Sequence, residues 1–219
     1  YGSEKKGQPT TYYLSAAPEP IRVNCEYVYV DVVLSPDPNV HEHSNPVAGL
    51  KKGGVFIVQS NRSEEDLWAS FPLWMQKQIA DNDIRVFYLD AFQIAREEAS
   101  SAELQLRMQG IAFQGAFFAA SPLKEQAGLD DATLLKAIRD QLQHKFGAKG
   151  ARVVEDNMRV VQRGFDEVRP MPHFAVSVPV AGDRVAGSEP KIPVMVRELP
   201  KSQSAIADRT SPSVVAPAS

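Results

Sequence analysis

Two apolar runs, VFIV at 55–58 and DIRVFYLDA at 83–91, constrain this chain more than anything else in it. The first is apolar throughout and the second from Val86 to Leu89, so each reads as a strand covered on both faces. Between them Ser63 precedes Glu64, Glu65 and Asp66, a hydroxyl cap followed by acid in the first helical turn. The helix it starts is expected to run to about Asp81, with an interruption at Pro72. Buried strands joined by helices predict a three-layer α/β fold. This is a doubly wound, mainly parallel sheet with helices on both faces.

The flanking segments extend the pattern. EYVYVDVVLS (26–35) reads as a further strand, and TTYYL (10–14) as a short β-branched and aromatic one. Helices are expected near 91–99 and 101–120. Another is expected over ATLLKAIRDQLQHKF, which follows Asp130–Asp131, and a last one over GARVVEDNMRVVQRGFDEV. Gly147 is expected to end the helix before it in a left-handed cap. After Val168 the character changes. Residues 169–219 carry Pro170, Pro172, Pro179, Pro190, Pro193, Pro200, Pro212 and Pro217, which suits an extended Pro-rich C-terminal tail rather than a second packed domain. The expected division is therefore 1–168 and 169–219.

Composition excludes several function classes. The formal net charge is −3, which gives no overall drive towards nucleic acid or anionic membrane. No stretch is long and apolar enough to read as a membrane span, and the cytoplasm is the expected compartment. The single cysteine, Cys25, allows no internal disulfide, and it cannot supply the roughly four thiolates of an iron–sulfur cluster. HEH at 41–43 falls in a loop without helical spacing or a nearby third ligand, so it reads as a polar loop or interface contact rather than a metal site. KKGG (51–54) precedes a strand rather than a helix and reads as a turn into the sheet. Trp68 and Trp74 read as core or subunit contacts.

The opening GSEKKG raises a different possibility. Two glycines permit close backbone approach, Lys5 and Lys6 add cations, and Ser3, Thr10 and Thr11 add hydroxyls. A polyanionic ligand or an acidic partner surface suits such a turn, and so does plain solvent.

Several separated blocks carry a resemblance. YGSEKKGQPTT, NPVAGLKKGGVFIVQSN, LWMQKQIADNDIRVFYLDAFQIARE, GIAFQGAFFAASPL and LLKAIRDQLQHKFGAKGARVVEDNMRVVQRGFDEV occur in that order. Together they resemble the gamma subunit or domain of 2-oxoacid:ferredoxin oxidoreductases, the pyruvate:ferredoxin oxidoreductase type in particular, over about residues 1–168. The resemblance implies a doubly wound α/β domain and oxidative decarboxylation of a 2-oxoacid with coenzyme A. It implies a complex with alpha, beta and ferredoxin-like delta components, with ferredoxin as electron partner. It implies thiamine diphosphate with Mg, and [4Fe-4S] clusters, held by those other components, with no cofactor on this chain alone. A glycine-rich GxGGxG segment precedes the matching block in the family and is not in this sequence. The expectation is that another chain or a longer polypeptide supplies it. For this chain the implied work is assembly and help in placing coenzyme A. The residues implied are Ser3, Glu4, Lys5, Lys6 and Gly7, with Thr10 and Asn61 behind them at carboxyl ends of strands. Two other readings stand beside this one: a scaffold without ligand contact, and a stand-alone nucleotide-binding oxidoreductase.

Overall fold

The computed structural model describes residues 10–22, 29–99 and 102–176. Four strands form one sheet in the order β1 (Val30–Ser35), β2 (Leu50–Gln59), β3 (Arg85–Leu89), β4 (Arg169–Pro170). The first three are parallel, and β4 lies antiparallel on β3, with Tyr88 opposite Arg169. Two helices, α1 (Glu64–Ser70) and α2 (Leu73–Asp81), lie between β2 and β3 in sequence. Then follow α3 (Ala91–Glu98), α4 (Ala102–Ala120), the single-turn α5 (Leu123–Gln126), α6 (Asp131–Phe146) and α7 (Ala151–Glu167).

The doubly apolar strand has its explanation in β2. Phe56 and Val58 enter one core layer with Leu67, Trp68, Met75 and Ile79 of α1 and α2. Val55 and Ile57 point the other way, into a layer with Ile94 and Ala95 of α3 and with Met108, Ala112, Phe113 and Ala116 of α4. Side chains alternate along a strand, so a strand with a helical layer on each face needs apolar residues at every position. All four of these β2 residues are fully buried. A third cluster, Leu134, Ile138 and Leu142 with Val154, Met158 and Val161, joins α6 to α7 on the outer side of the second layer. The three-layer, mainly parallel α/β expectation holds.

Local sequence sets the element ends. Ser63 caps α1 through the Asp66 amide, and Asp130 caps α6 through the Thr133 amide. The α1–α2 break falls at Phe71–Pro72. The KKGG turn lies within β2 as an irregularity: Val30 is opposite Leu50 and Val32 opposite Val55, so β2 carries extra residues there. Gly53 takes φ 72°, a left-handed conformation open to glycine. Lys51 pairs with Asp31 across the same irregularity.

Two expectations are corrected. Residues 10–14 are not a strand. The whole stretch 10–22 is exposed, Tyr12 by 83%, and no strand pairs with it among the described residues. β propensity without a neighbouring strand and a buried face does not make a strand. Gly147 is not a left-handed cap either. It keeps φ −55° and continues into a 3-10 turn, and the left-handed position falls to Gly150 at φ 108°, directly before α7.

Candidate functional site at the carboxyl edge of the parallel strands

In open parallel sheets the loops after the strands form the natural ligand edge. Here that edge consists of the turn after β1, the Ser60–Ser63 loop after β2, and Asp90 after β3. Its base is a buried polar lattice. Gln59, the last residue of β2, is 2% exposed. Its amide nitrogen donates to Asp90 Oδ1 at 3.0 Å, and its amide oxygen accepts from the Phe92 backbone at 3.3 Å. Asp90 Oδ1 also accepts from the Gln93 amide, capping α3. The Ser60 amide donates to the Leu89 carbonyl at 3.1 Å, and Ser60 Oγ accepts from the Arg62 amide at 3.1 Å. The loop is thus tied down at both ends while Asn61, Arg62 and Ser63 stay exposed.

A second group lies where β3 meets α1. The Tyr88 hydroxyl donates to Glu64 Oε1 at 3.0 Å, and Tyr88 stands opposite Arg169 in the β3–β4 pairing. Burial, reinforced by the Glu64 carboxylate, pushes the Tyr88 phenol up. After β1, His41 stands in a 3-10 turn (Val40–Glu42), its ring edge-on to Phe71 at 6.1 Å. Its Nδ1 is buried and unpartnered among the described residues. Burial lowers the His41 pKa, opposed by Glu42 and assisted by the nearby Arg62.

Of the residues the sequence points to, Asn61 lies on this edge, exposed, one residue beyond Ser60. Thr10 is exposed in an irregular segment and does not end a strand. Ser3, Glu4, Lys5, Lys6 and Gly7 lie outside the described residues. Among the described residues no three His, Cys, Asp or Glu side chains converge as metal ligands. With one cysteine in the sequence, this chain's residues do not fit an iron–sulfur cluster. Trp68 is buried, and Trp74 is 40% exposed. Among the described residues no helix is long and apolar enough to cross a membrane. Sequence reading missed Gln59 and Asp90. A lone amide closing an apolar strand, and an acid directly before a helix, were the available signals.

Fold and edge together define an α/β domain whose polar loops gather at the carboxyl ends of a buried parallel sheet. A family model described as pyruvate ferredoxin/flavodoxin oxidoreductase matches residues 1–167, and the chain belongs to that family. The pyruvate:ferredoxin oxidoreductase of Moorella thermoacetica is 25% identical over 199 residues, 91% of this chain and 16% of that protein. The pyruvate/ketoisovalerate oxidoreductases common subunit gamma of Pyrococcus abyssi is 26% identical over 162 residues, 74% of this chain and 78% of that subunit. A solved pyruvate oxidoreductase subunit from Thermotoga maritima shares 22% identity over 65% of each chain, with a TM-score of 0.43. The chain spans about 16% of the length of the first curated relatives it matches.

Proposed function

We propose that this chain is the gamma component of a 2-oxoacid:ferredoxin or flavodoxin oxidoreductase of the pyruvate type, and that it helps assemble the enzyme and position coenzyme A. The observation that carries this reading is the family match over residues 1–167, supported by the gamma subunit that aligns over most of its own length. The enzyme would convert a 2-oxoacid and coenzyme A to an acyl-CoA and carbon dioxide, passing two electrons to an iron–sulfur or flavin carrier, or run the reverse. Thiamine diphosphate, Mg and the [4Fe-4S] clusters would be held by the alpha, beta and delta components, in a cytoplasmic complex. Thiamine diphosphate supplies the electron sink for decarboxylation.

This chain's own contribution would be electrostatic and positional. Lys5 and Lys6 would meet coenzyme A phosphates as point charges. Ser3, Gly7 and the neighbouring backbone N–H groups would take phosphate oxygens, with Glu4 beside them in sequence and Thr10 and Asn61 as further contacts. A domain at 1–168 with a tail at 169–219 belongs to the same proposal, amended at its start: residues 169–175 pack on the domain itself, and the neighbouring component would meet the tail beyond them.

The test is anaerobic purification from the native host through a tag on this polypeptide, followed by intact mass and cofactor analysis. Thiamine diphosphate and iron–sulfur clusters are expected to come with it, on companion chains or on the remainder of a longer polypeptide. A lone, stable, cofactor-free monomer would overturn the reading.

A further inference from the structure

We propose that the segment from Val168 to Val176 is a strap that couples the chain beyond α7 to the Ser60–Ser63 loop on the carboxyl edge. Two separate lines of contact carry this inference.

The first line runs through Trp68. After α7 the chain turns back along β3, where the Met171 amide donates to the Val86 carbonyl at 2.8 Å. The Met171 side chain is buried in the layer beneath α1 and α2. Three residues on, Phe174 packs against the Trp68 ring at 6.0 Å between centroids. The Trp68 indole N–H then donates to the Ala175 carbonyl at 3.1 Å. A buried indole needs an acceptor for its single donor, and here a backbone carbonyl of the strap is that acceptor.

The second line runs through Tyr88. Arg169, the first strap residue after Val168, stands opposite Tyr88 in the β3–β4 pairing, and the Tyr88 hydroxyl donates to Glu64 Oε1 at 3.0 Å. Glu64 opens α1 and follows directly on Asn61, Arg62 and Ser63. At seven residues, α1 is too short to hold itself by helix propensity, so its placement depends on such tertiary contacts. The strap therefore holds the far end of one short helix directly and its near end through Tyr88 of β3, and that near end leads into the ligand-edge loop. Displacing the strap removes the Trp68 acceptor and stacking partner together, and the loop loosens with α1. The consequence for coenzyme A rests on the proposed function; the coupling itself does not.

The test uses the full chain carrying Trp74→Phe, which leaves Trp68 as the only indole of the two in the sequence. Phe174→Ala is expected to shift Trp68 emission to the red and raise its quenching by acrylamide. Amide exchange over 60–70 is expected to quicken about tenfold, with α6 unchanged, as local rather than global opening requires. Tyr88→Phe loses only a hydroxyl and keeps the test open if Phe174→Ala folds poorly. It is expected to quicken exchange at 60–66 while leaving Trp68 emission as in the parent. Unchanged exchange at 60–66 in both variants would overturn the proposal, and so would a uniform rise that includes α6. No coenzyme A enters these assays, so a negative result here leaves the proposed function standing, and failure of that function leaves this coupling intact.

Discussion

The Gln59 side chain donates to Asp90 Oδ1 at 3.0 Å, joining the last residue of β2 to the cap of α3. Gln59 is almost fully buried, and its other amide atom serves the Phe92 backbone. Gln59→Leu would strand that N–H and withdraw a donor from Asp90. The expected loss is about 1–3 kcal/mol of unfolding free energy, read by urea titration. Gln59→Glu would set a second carboxylate against Asp90. Its deficit should be larger at pH 7 and shrink as the pH falls, because protonation relieves the pair.

Gly115 of α4 and Gly164 of α7 let the two helices approach to backbone contact. A Cβ on Gly115 would strike the Val161 carbonyl and the Phe165 amide, and one on Gly164 would strike the Ala112 carbonyl. The obstacles are backbone, which cannot swing aside. Gly115→Ala and Gly164→Ala are each expected to cost about 1–3 kcal/mol or more. Gly110 lies in α4 as well, with nothing within 4 Å of an added Cβ. Gly110→Ala should therefore stabilise by roughly 0.5–1 kcal/mol through helix propensity. Thermal denaturation of the three variants separates crowding from propensity, and equal effects at all three positions would refute the close approach.

His41 makes stability depend on pH in a stated direction. Burial holds its folded-state pKa below the ordinary 6.5. The unfolded chain then binds more protons near and below that pH, so stability is fully present above 6.5 and is lost as pH falls through the lower folded value. Arg62 and His43 press the same way, while Glu42 and Asp37 oppose them. His41→Gln should flatten this part of the curve. Denaturation midpoints of parent and variant measured from pH 8 to pH 5 check it, and parallel curves would contradict it.

Much of the fold was legible because some residues permit few solutions. Val55–Val58 had to be covered on both faces, and they lie between two helical layers. Ser63 and Asp130 carry the side chains that satisfy helix-start amides, and both cap. Pro72 could not continue the helix before it. TTYYL failed as a strand because its propensity depends on a neighbour that the segment itself does not encode. Gly147 and Gly150 both offer left-handed freedom, and local sequence does not say which will use it. The carboxyl edge was legible only in outline. Asn61 follows from its place after a strand, whereas the Gln59–Asp90 bond joins residues 31 apart and needs the β2–β3 register to appear.

For the opening GSEKKG segment the most direct measurement is steady-state kinetics of the native enzyme carrying Lys5→Ala and Lys6→Ala together. The account predicts a KM for coenzyme A raised about tenfold or more, as loss of charge-assisted phosphate contacts requires. It predicts little change in KM for the 2-oxoacid and an intact complex on sizing. An unchanged KM for coenzyme A in a fully assembled enzyme would contradict it.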